Sequence, residues 1–474
     1  MSIRLSSSRR KFTKRHFFGR FVVALFTGIG IFLIVKGLTG GSELDSPVAL
    51  SSTSPAVQTP DATVTAPIMG PRVYRSDAPD KREDAGAVAV CPGCDVVLIS
   101  VCSLRKDHVG AYDGVEVATP YIDQITAGGT RFDSAYAASS FTLAGLTAVL
   151  TGRFGSTTGV TGWDKGLTQD VTTLPEVLGY YGYATAAFTT DAPSGFRPEY
   201  GLDRGFQYME ISPPSPGTPD GRHVPGPKTA PGDVAQPMAD WILKQPSDRP
   251  LFAMLHSRSA HFPFVVEAPE EGSDPTGMGR ALWFAGMNQQ LEESTGGMPG
   301  MDGGTNQKGI VKLVGEDPLQ ALVSQVGQSA VDVWNHHYLE SVERMDADVG
   351  RVVEALKSSG RWDRTVLILV ADHGESLGDH QEFLHGDSYF DAVVRVPLLL
   401  RVPGMSGRNE GIQSLVSHVD LLPTILELVG AVVPAGIDGV SIVPALSAPN
   451  TEIRKTALIE GGVSWTPRDT MRGA

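Results

Sequence analysis

The sequence predicts an α/β fold: three layers, α/β/α, around a mostly parallel central sheet. Three observations lead there. Short apolar runs recur along the chain without the polar alternation of a half-exposed strand, as strands buried on both faces require. Amphipathic helical patterns lie between those runs, and strand–helix alternation implies a covered parallel sheet. Residues able to bind metals or move protons stand directly after several of the runs, at the edge where open parallel sheets hold their ligands.

The chain has 474 residues and begins with a basic segment, 1–20, carrying Arg4, Arg9, Arg10, Lys11, Lys14, Arg15 and Arg20 before any acid. Phe21 to Val35 is uncharged and apolar, closed by Lys36. This order predicts a signal anchor over 21–38 with its N-terminus in the cytoplasm, since no small-x-small cleavage signal follows directly. A flexible Ser/Thr/Pro-rich linker is expected over 39–94. The rest of the chain, 95–474, would then be an extracytoplasmic domain tethered to the membrane.

Within that domain, strands are expected at Val96–Val101, Ala184–Phe188, Leu251–His256, Val366–Ala371 and Val396–Arg401, with another at Thr456–Ile459. The clearest helix runs from Tyr338 to about Ser359, with Leu339, Val342, Met345, Val349, Val352 and Leu356 on one face. A second is expected over roughly Ser414 to Val429. A Gly/Met-rich stretch near 270–308 lacks apolar periodicity and reads as an inserted loop beside the site.

The net charge is -14, and the globular part has no basic face. Nucleic acid is therefore a poor partner, because phosphate-backbone binding draws on clustered Lys and Arg. A small anionic substrate is not excluded, since it needs only a few local cations or one metal. There are three cysteines. Cys91 and Cys94 form an isolated C-x-x-C whose plain reading, in an oxidising compartment, is a local disulfide. That pairing leaves Cys102 unpaired.

Cys102-Ser-Leu-Arg105-Lys-Asp107-His108 follows the first apolar run, Asp372-His373-Gly-Glu375 follows the fourth, and His256 ends the third with His261 five residues on. Taken singly, each could be a strand-end polar group facing water. Ser139-Ser-Phe-Thr142 opens a helical run that ends at Gly152. A hydroxyl at a helix N-terminus lies among free N–H groups that suit an anion or an alkoxide, which makes Thr142 a candidate nucleophile. A helix-capping threonine is the competing reading.

In order, these segments resemble the sulfatase family of the alkaline-phosphatase superfamily from Asp95 to about Leu446. The resemblance rests on Val-Leu-Ile-Ser-Val-Cys-Ser-Leu-Arg-Lys-Asp-His, Thr119-Pro-Tyr-Ile-Asp123, the Ala-Ser-Ser-Phe-Thr…Leu-Thr-Gly-Arg block and Gly201-Leu-Asp-Arg-Gly-Phe206. It continues through Met345-Asp-Ala-Asp-Val-Gly350, Ala371-Asp-His-Gly-Glu-Ser-Leu-Gly, His385-Gly386, Arg395-Val-Pro-Leu-Leu-Leu and His418-Val-Asp-Leu-Leu-Pro-Thr424. It implies a divalent metal held at Cys102, Thr142, Asp372 and His373. His261 and His385 fall where the family places histidines that contact ester oxygens or protonate the leaving group. Arg105 matches an arginine near the site, with helix packing or surface exposure as equal alternatives; Asp107 and His108 read as structural or surface groups.

Two departures matter. The Cys- or Ser-x-Pro-x-Arg motif that yields the formylglycine aldehyde is here Thr142-Leu-Ala-Gly-Leu146. Threonine cannot become that aldehyde, so the resemblance points to the branch that uses a threonine nucleophile. The first metal carboxylate is replaced by Cys102, whose soft thiolate favours Zn²⁺ over Ca²⁺ or Mg²⁺. The family's small C-terminal antiparallel subdomain is also expected to be truncated. The leading expectation is a metal-dependent hydrolase or transferase acting on a sulfate or phosphate ester of a small molecule, envelope glycan or lipid. The alternative is a catalytically impaired relative that binds an envelope glycan, lipid or protein.

Overall fold

The computed structural model describes residues 90–461 apart from 113, 115–116, 163, 191–194, 213–233, 263, 265–327, 387 and 409, together with 472–473. The expected anchor at 21–38, most of the linker at 39–94 and the insert at 270–308 lie outside the described residues. Among the described residues, no helix is long and apolar enough to cross a membrane.

Among the described residues, seven strands form the main sheet: β1 (Asp95–Val101), β2 (Thr130–Arg131), β3 (Ala184–Thr190), β4 (Tyr208–Ser212), β5 (Leu251–Ser257), β6 (Thr365–Ala371) and β7 (Leu398–Arg401). Their spatial order is β2-β7-β6-β1-β5-β3-β4. The five strands from β6 across to β4 run parallel, while β7 is antiparallel to β6 and β2 antiparallel to β7. Every residue of β1, β5 and β6 is buried, which is why their sequences are continuous apolar runs. Each fully buried Val, Leu or Ile contributes on the order of 1.5–3 kcal/mol relative to exposure.

Helices α1 (Pro120–Ala127), α4 (Ala235–Lys244) and α5 (Gln328–Ser358) pack as one group; α2 (Thr142–Thr151), α3 (Leu174–Tyr180) and α6 (Leu421–Val429) pack as another. With the sheet they make the expected three-layer α/β/α architecture. The expected face of α5 is buried at Val342, Met345, Val349, Val352 and Leu356, while Leu339 is only partly so; Tyr338, outside that set, is buried as well. The helix starts ten residues before Tyr338, at Gln328. Trp334 carries the buried stripe into that first part, where the surrounding polar residues hide the period.

Three expected boundaries differ. The sheet strand expected from Val396 begins at Leu398. The segment expected to be helical from Ser414 first pairs Val416–Ser417 in parallel with Ala135–Tyr136, then makes a tight turn at His418–Asp420, and only then enters α6. The buried Asp420 carboxylate causes that turn by accepting from Ser417 N and Val440 N, each at 2.8 Å. Near the C-terminus, the strand expected at Thr456–Ile459 is Ile459–Glu460, paired antiparallel with Arg472–Gly473.

At the amino end of the sheet, Asp95 is fully buried. It accepts from Leu251 N at 2.9 Å, from Arg361 Nη1 at 2.8 and 2.9 Å, and from Arg364 Nε at 3.0 Å. One carboxylate thus fastens the starts of β1 and β5 to the turn that leads into β6. Cys91 and Cys94, just upstream, are bridged as expected, and Cys102 is the free cysteine among the described residues.

Candidate functional site

Because β1, β5 and β6 are adjacent and parallel, the residues that follow them converge at one edge. Val101 stands level with Ala371 on one side and Ser257 on the other. The next residue, Cys102, donates its N–H to the Ser257 carbonyl at 2.8 Å, and Asp372 N donates to the Val101 carbonyl at 3.2 Å. Helix α2 delivers Thr142 to the same place. All ten of its residues are buried, and Gly145 is what lets it dock: a Cβ there would lie 2.7 Å from the Asp372 carbonyl oxygen.

The four residues expected to hold a metal therefore meet. Thr142 Oγ1 is 3.3 Å from Cys102 Sγ and 3.2 Å from His373 Nε2, and Cys102 Sγ is 3.8 Å from His373 Nε2. The Cys102, Asp372 and His373 ligand atoms all lie within 4.8 Å of one another and are buried. His373 donates from Nδ1 to the Gly374 carbonyl at 2.8 Å, which leaves the Nε2 lone pair for a ligand. Burial pushes His373 down to about 3 despite Asp372 beside it, so the ring is neutral as a metal ligand must be.

Asp372 Oδ1 accepts from His373 N at 2.8 Å and Ser103 N at 3.2 Å, while Oδ2 is buried without a hydrogen-bond partner. Burial opposes its charge, but His373 and His256 nearby hold it below the usual carboxylate range. Burial and Asp372 together raise the Cys102 thiol well above its ordinary value. An orphaned carboxylate oxygen, an open imidazole nitrogen and a sulfur facing one point are what a divalent cation requires, so the residues fit one.

The two expected histidines line the same site. The His385 ring centroid lies 4.1 Å from that of His373 and 4.9 Å from that of His261. His385 Nδ1 bonds to Glu375 Oε1 and Oε2 at 3.0 and 3.1 Å. His261 Nδ1 bonds to the Phe262 carbonyl, and Arg258 Nη2 approaches His261 Nε2 to 3.2 Å. Burial, then Arg258, then His385 push His261 well below its ordinary range, so it is neutral.

Of the readings open for Arg105, surface exposure does not hold, and the residue lies beside the site against Glu375. It is buried, clamped by Asp107 and Asp379, and bonded to the Glu375 carbonyl at 3.3 Å. It braces the loop instead of reaching the cluster. Asp107 is largely exposed, and His108 bonds to it at 2.9 Å. His256 is buried within β5, with Nδ1 3.2 Å from Ser100 Oγ.

Several residues here were not legible as site residues. Glu375 stands among the strand-end residues, but nothing in the sequence ties it to His385. Arg258 sits in an unremarkable Ser-Arg-Ser. Ser103 adopts a left-handed backbone (φ 63), strain that turns its N–H onto Asp372. Tyr338, expected only as the start of a helix, donates to the Ser103 carbonyl at 2.8 Å and accepts from Arg105 N at 2.8 Å. It holds the strained turn in place.

A family model described as Sulfatase matches residues 95–431. The N-acetylglucosamine-6-O-sulfatase of Bacteroides thetaiotaomicron is 23% identical over 394 residues, covering 72% of this chain and 70% of that protein. The uncharacterized sulfatase YidJ of Escherichia coli is 26% identical over 365 residues, covering 70% of this chain and 67% of that protein. Among solved structures, the phosphonate monoester hydrolase of Agrobacterium radiobacter shares the fold with a TM-score of 0.57 at 22% identity, covering 78% of this chain and 80% of that one. The family match spans most of the described residues and takes in every member of the cluster. The chain belongs to the sulfatase family, the sulfuric-ester hydrolases of the alkaline-phosphatase-like superfamily.

Proposed function

We propose that the chain is a metal-dependent hydrolase of a sulfate or phosphate ester that uses Thr142 as its nucleophile. The observation that carries this reading is the position of Thr142 Oγ1 on the first residue of α2, 3.3 Å from Cys102 Sγ and 3.2 Å from His373 Nε2. The hydroxyl is the group best placed to attack an ester sulfur or phosphorus in line. A helix N-terminus carries partial positive charge, and at the start of α2 this favours the negative charge of the transferring group.

Cys102, Asp372 and His373 would hold the divalent cation, which when bound would supply charge neutralisation at the ester oxygens and acidify the nearby hydroxyl. The sulfur in this set favours Zn²⁺. As Thr142 Oγ1 gives up its proton to solvent and bonds to the ester sulfur or phosphorus, the bond to the leaving oxygen breaks and that oxygen takes a proton. His385 suits that role better than His261. Glu375 fixes His385 through Nδ1 and leaves Nε2 to carry the transferable proton, whereas His261 is neutral and bonded at both nitrogens. Water then attacks the sulfur or phosphorus of the threonine ester, the bond to Oγ1 breaks, sulfate or phosphate leaves, and Oγ1 takes back a proton.

A sulfated or phosphorylated glycan or lipid of the envelope is the substrate class we favour, by analogy with the N-acetylglucosamine-6-O-sulfatase. The basic-then-apolar start and the Cys91–Cys94 bridge support a membrane-anchored, extracytoplasmic enzyme. The second reading, an impaired relative that only binds, is favoured by Cys102 and by the loss of the aldehyde-forming motif. Metal content and aryl-sulfate and aryl-phosphate turnover of the full chain in detergent separate the two. The enzyme reading expects near-stoichiometric Zn²⁺, a loss of turnover of at least about 10³-fold in Thr142→Ala, and a shift toward Ca²⁺ or Mg²⁺ in Cys102→Asp. A wild type without metal or turnover, with metal regained in Cys102→Asp, would establish the binding-protein reading.

A further inference from the structure

We propose that Arg258 is the guanidinium clamp for the non-bridging oxygens of the transferred group; this rests on the ester-transfer reading of the site. The helix that carries Thr142 presents no cation of its own. Two and four residues on stand Ala144 and Leu146, and Leu146 is fully buried in the core. A sulfate or phosphate centre therefore needs positive charge from another element besides a metal.

Arg258 is the first residue after β5, directly following Ser257, whose carbonyl holds Cys102 N at 2.8 Å. Its backbone thus starts beside the cluster. Its side chain turns along the wall made by His261: Nη2 lies 3.1 Å from His261 Nδ1 and 3.2 Å from Nε2. That wall continues through His385 to His373, with ring centroids 4.9 and 4.1 Å apart. Partial burial of Arg258 limits the water that would screen it.

A planar fork of N–H donors matches two oxygens of a tetrahedral anion, a geometry that an ammonium cannot copy. On this assignment the group to be transferred sits between the Thr142 hydroxyl, the helix start and the Arg258 fork, with its leaving oxygen toward His385. Arg258 then acts on the reacting group itself, while the electrically neutral His261 fills the space behind the fork and fixes its direction.

The test uses the full chain in detergent, with inorganic sulfate, inorganic phosphate and vanadate as probes. Affinity is read by calorimetry and by inhibition of aryl-ester turnover. Arg258→Ala is expected to weaken oxyanion binding at least about tenfold and kcat/KM by roughly 10²-fold, with metal content unchanged. Arg258→Lys should fall between the two, and free guanidinium should restore part of the Arg258→Ala turnover, which a purely structural residue would not allow. Unchanged oxyanion affinity in a folded, metal-replete Arg258→Ala overturns the proposal. Should the wild type bind oxyanions but turn over no ester, the hydrolase reading fails, and loss of that binding in Arg258→Ala still upholds the clamp. A wild type that binds none of the three probes sinks both.

Discussion

Glu375 shows how one side chain controls another. It is fully buried, and both its oxygens face His385 Nδ1, which fixes the ring's rotation. Partners of this kind usually matter ten- to a hundredfold when altered. Glu375→Gln should therefore lower kcat by about that factor and leave KM and bound metal nearly unchanged, because an amide holds the ring less firmly and does not touch the ester. Steady-state kinetics with metal analysis checks this; a rise in KM with kcat preserved would show that Glu375 serves substrate binding. The residue types of the cluster were legible from their places after apolar runs, Glu375 among them, but the role of Glu375 and the presence of Arg258 were not. Nothing in a linear motif says that Glu375 meets a histidine ten residues later, or that Arg258 turns along His261 and not into solvent.

At the scale of the element, α2 depends on one missing methyl. Its N-terminal turn lies against the carboxyl end of β6 at Gly145, where an added Cβ would meet the Asp372 carbonyl at 2.7 Å. A backbone oxygen cannot swing aside as a long side chain can. Gly145→Ala should push α2 off the strand end and displace Thr142 from Cys102 and His373. The expected cost is about 1–3 kcal/mol of stability, with a fall in turnover much steeper than that loss alone would give. Denaturant unfolding beside activity tests it, and a variant with wild-type stability and rate would mean the helix docks elsewhere. The glycine also explains why a helix so apolar all round begins with a hydroxyl: the start of α2 belongs to the site and its remainder to the core.

For the whole molecule, the sheet is fastened at the end opposite the chemistry. Asp95, itself fully buried, gathers Leu251 N, the buried Arg361 and the partly exposed Arg364. Removing one partner of a buried ion pair strands the others, at about 3–5 kcal/mol. Asp95→Ala should lower stability by that order and reduce the yield of folded protein, with little change in kcat per folded molecule, as thermal unfolding and active-site titration would show. In the sequence Asp95 looked only like the residue before a strand, because its two arginines lie more than 260 positions away. By itself the sequence determined the α/β class, the order of the core strands and the residue types at their ends. Those follow from burial on both faces and from the rule that parallel strands share one ligand-binding edge. Only the tertiary structure decided which strand ends are neighbours, that His418–Asp420 turns before α6, that Arg105 braces the loop while Arg258 lies against His261, and that Thr142 stands within reach of Cys102 and His373. Those are contacts between residues far apart in the chain, set by packing and register, and no local pattern encodes them.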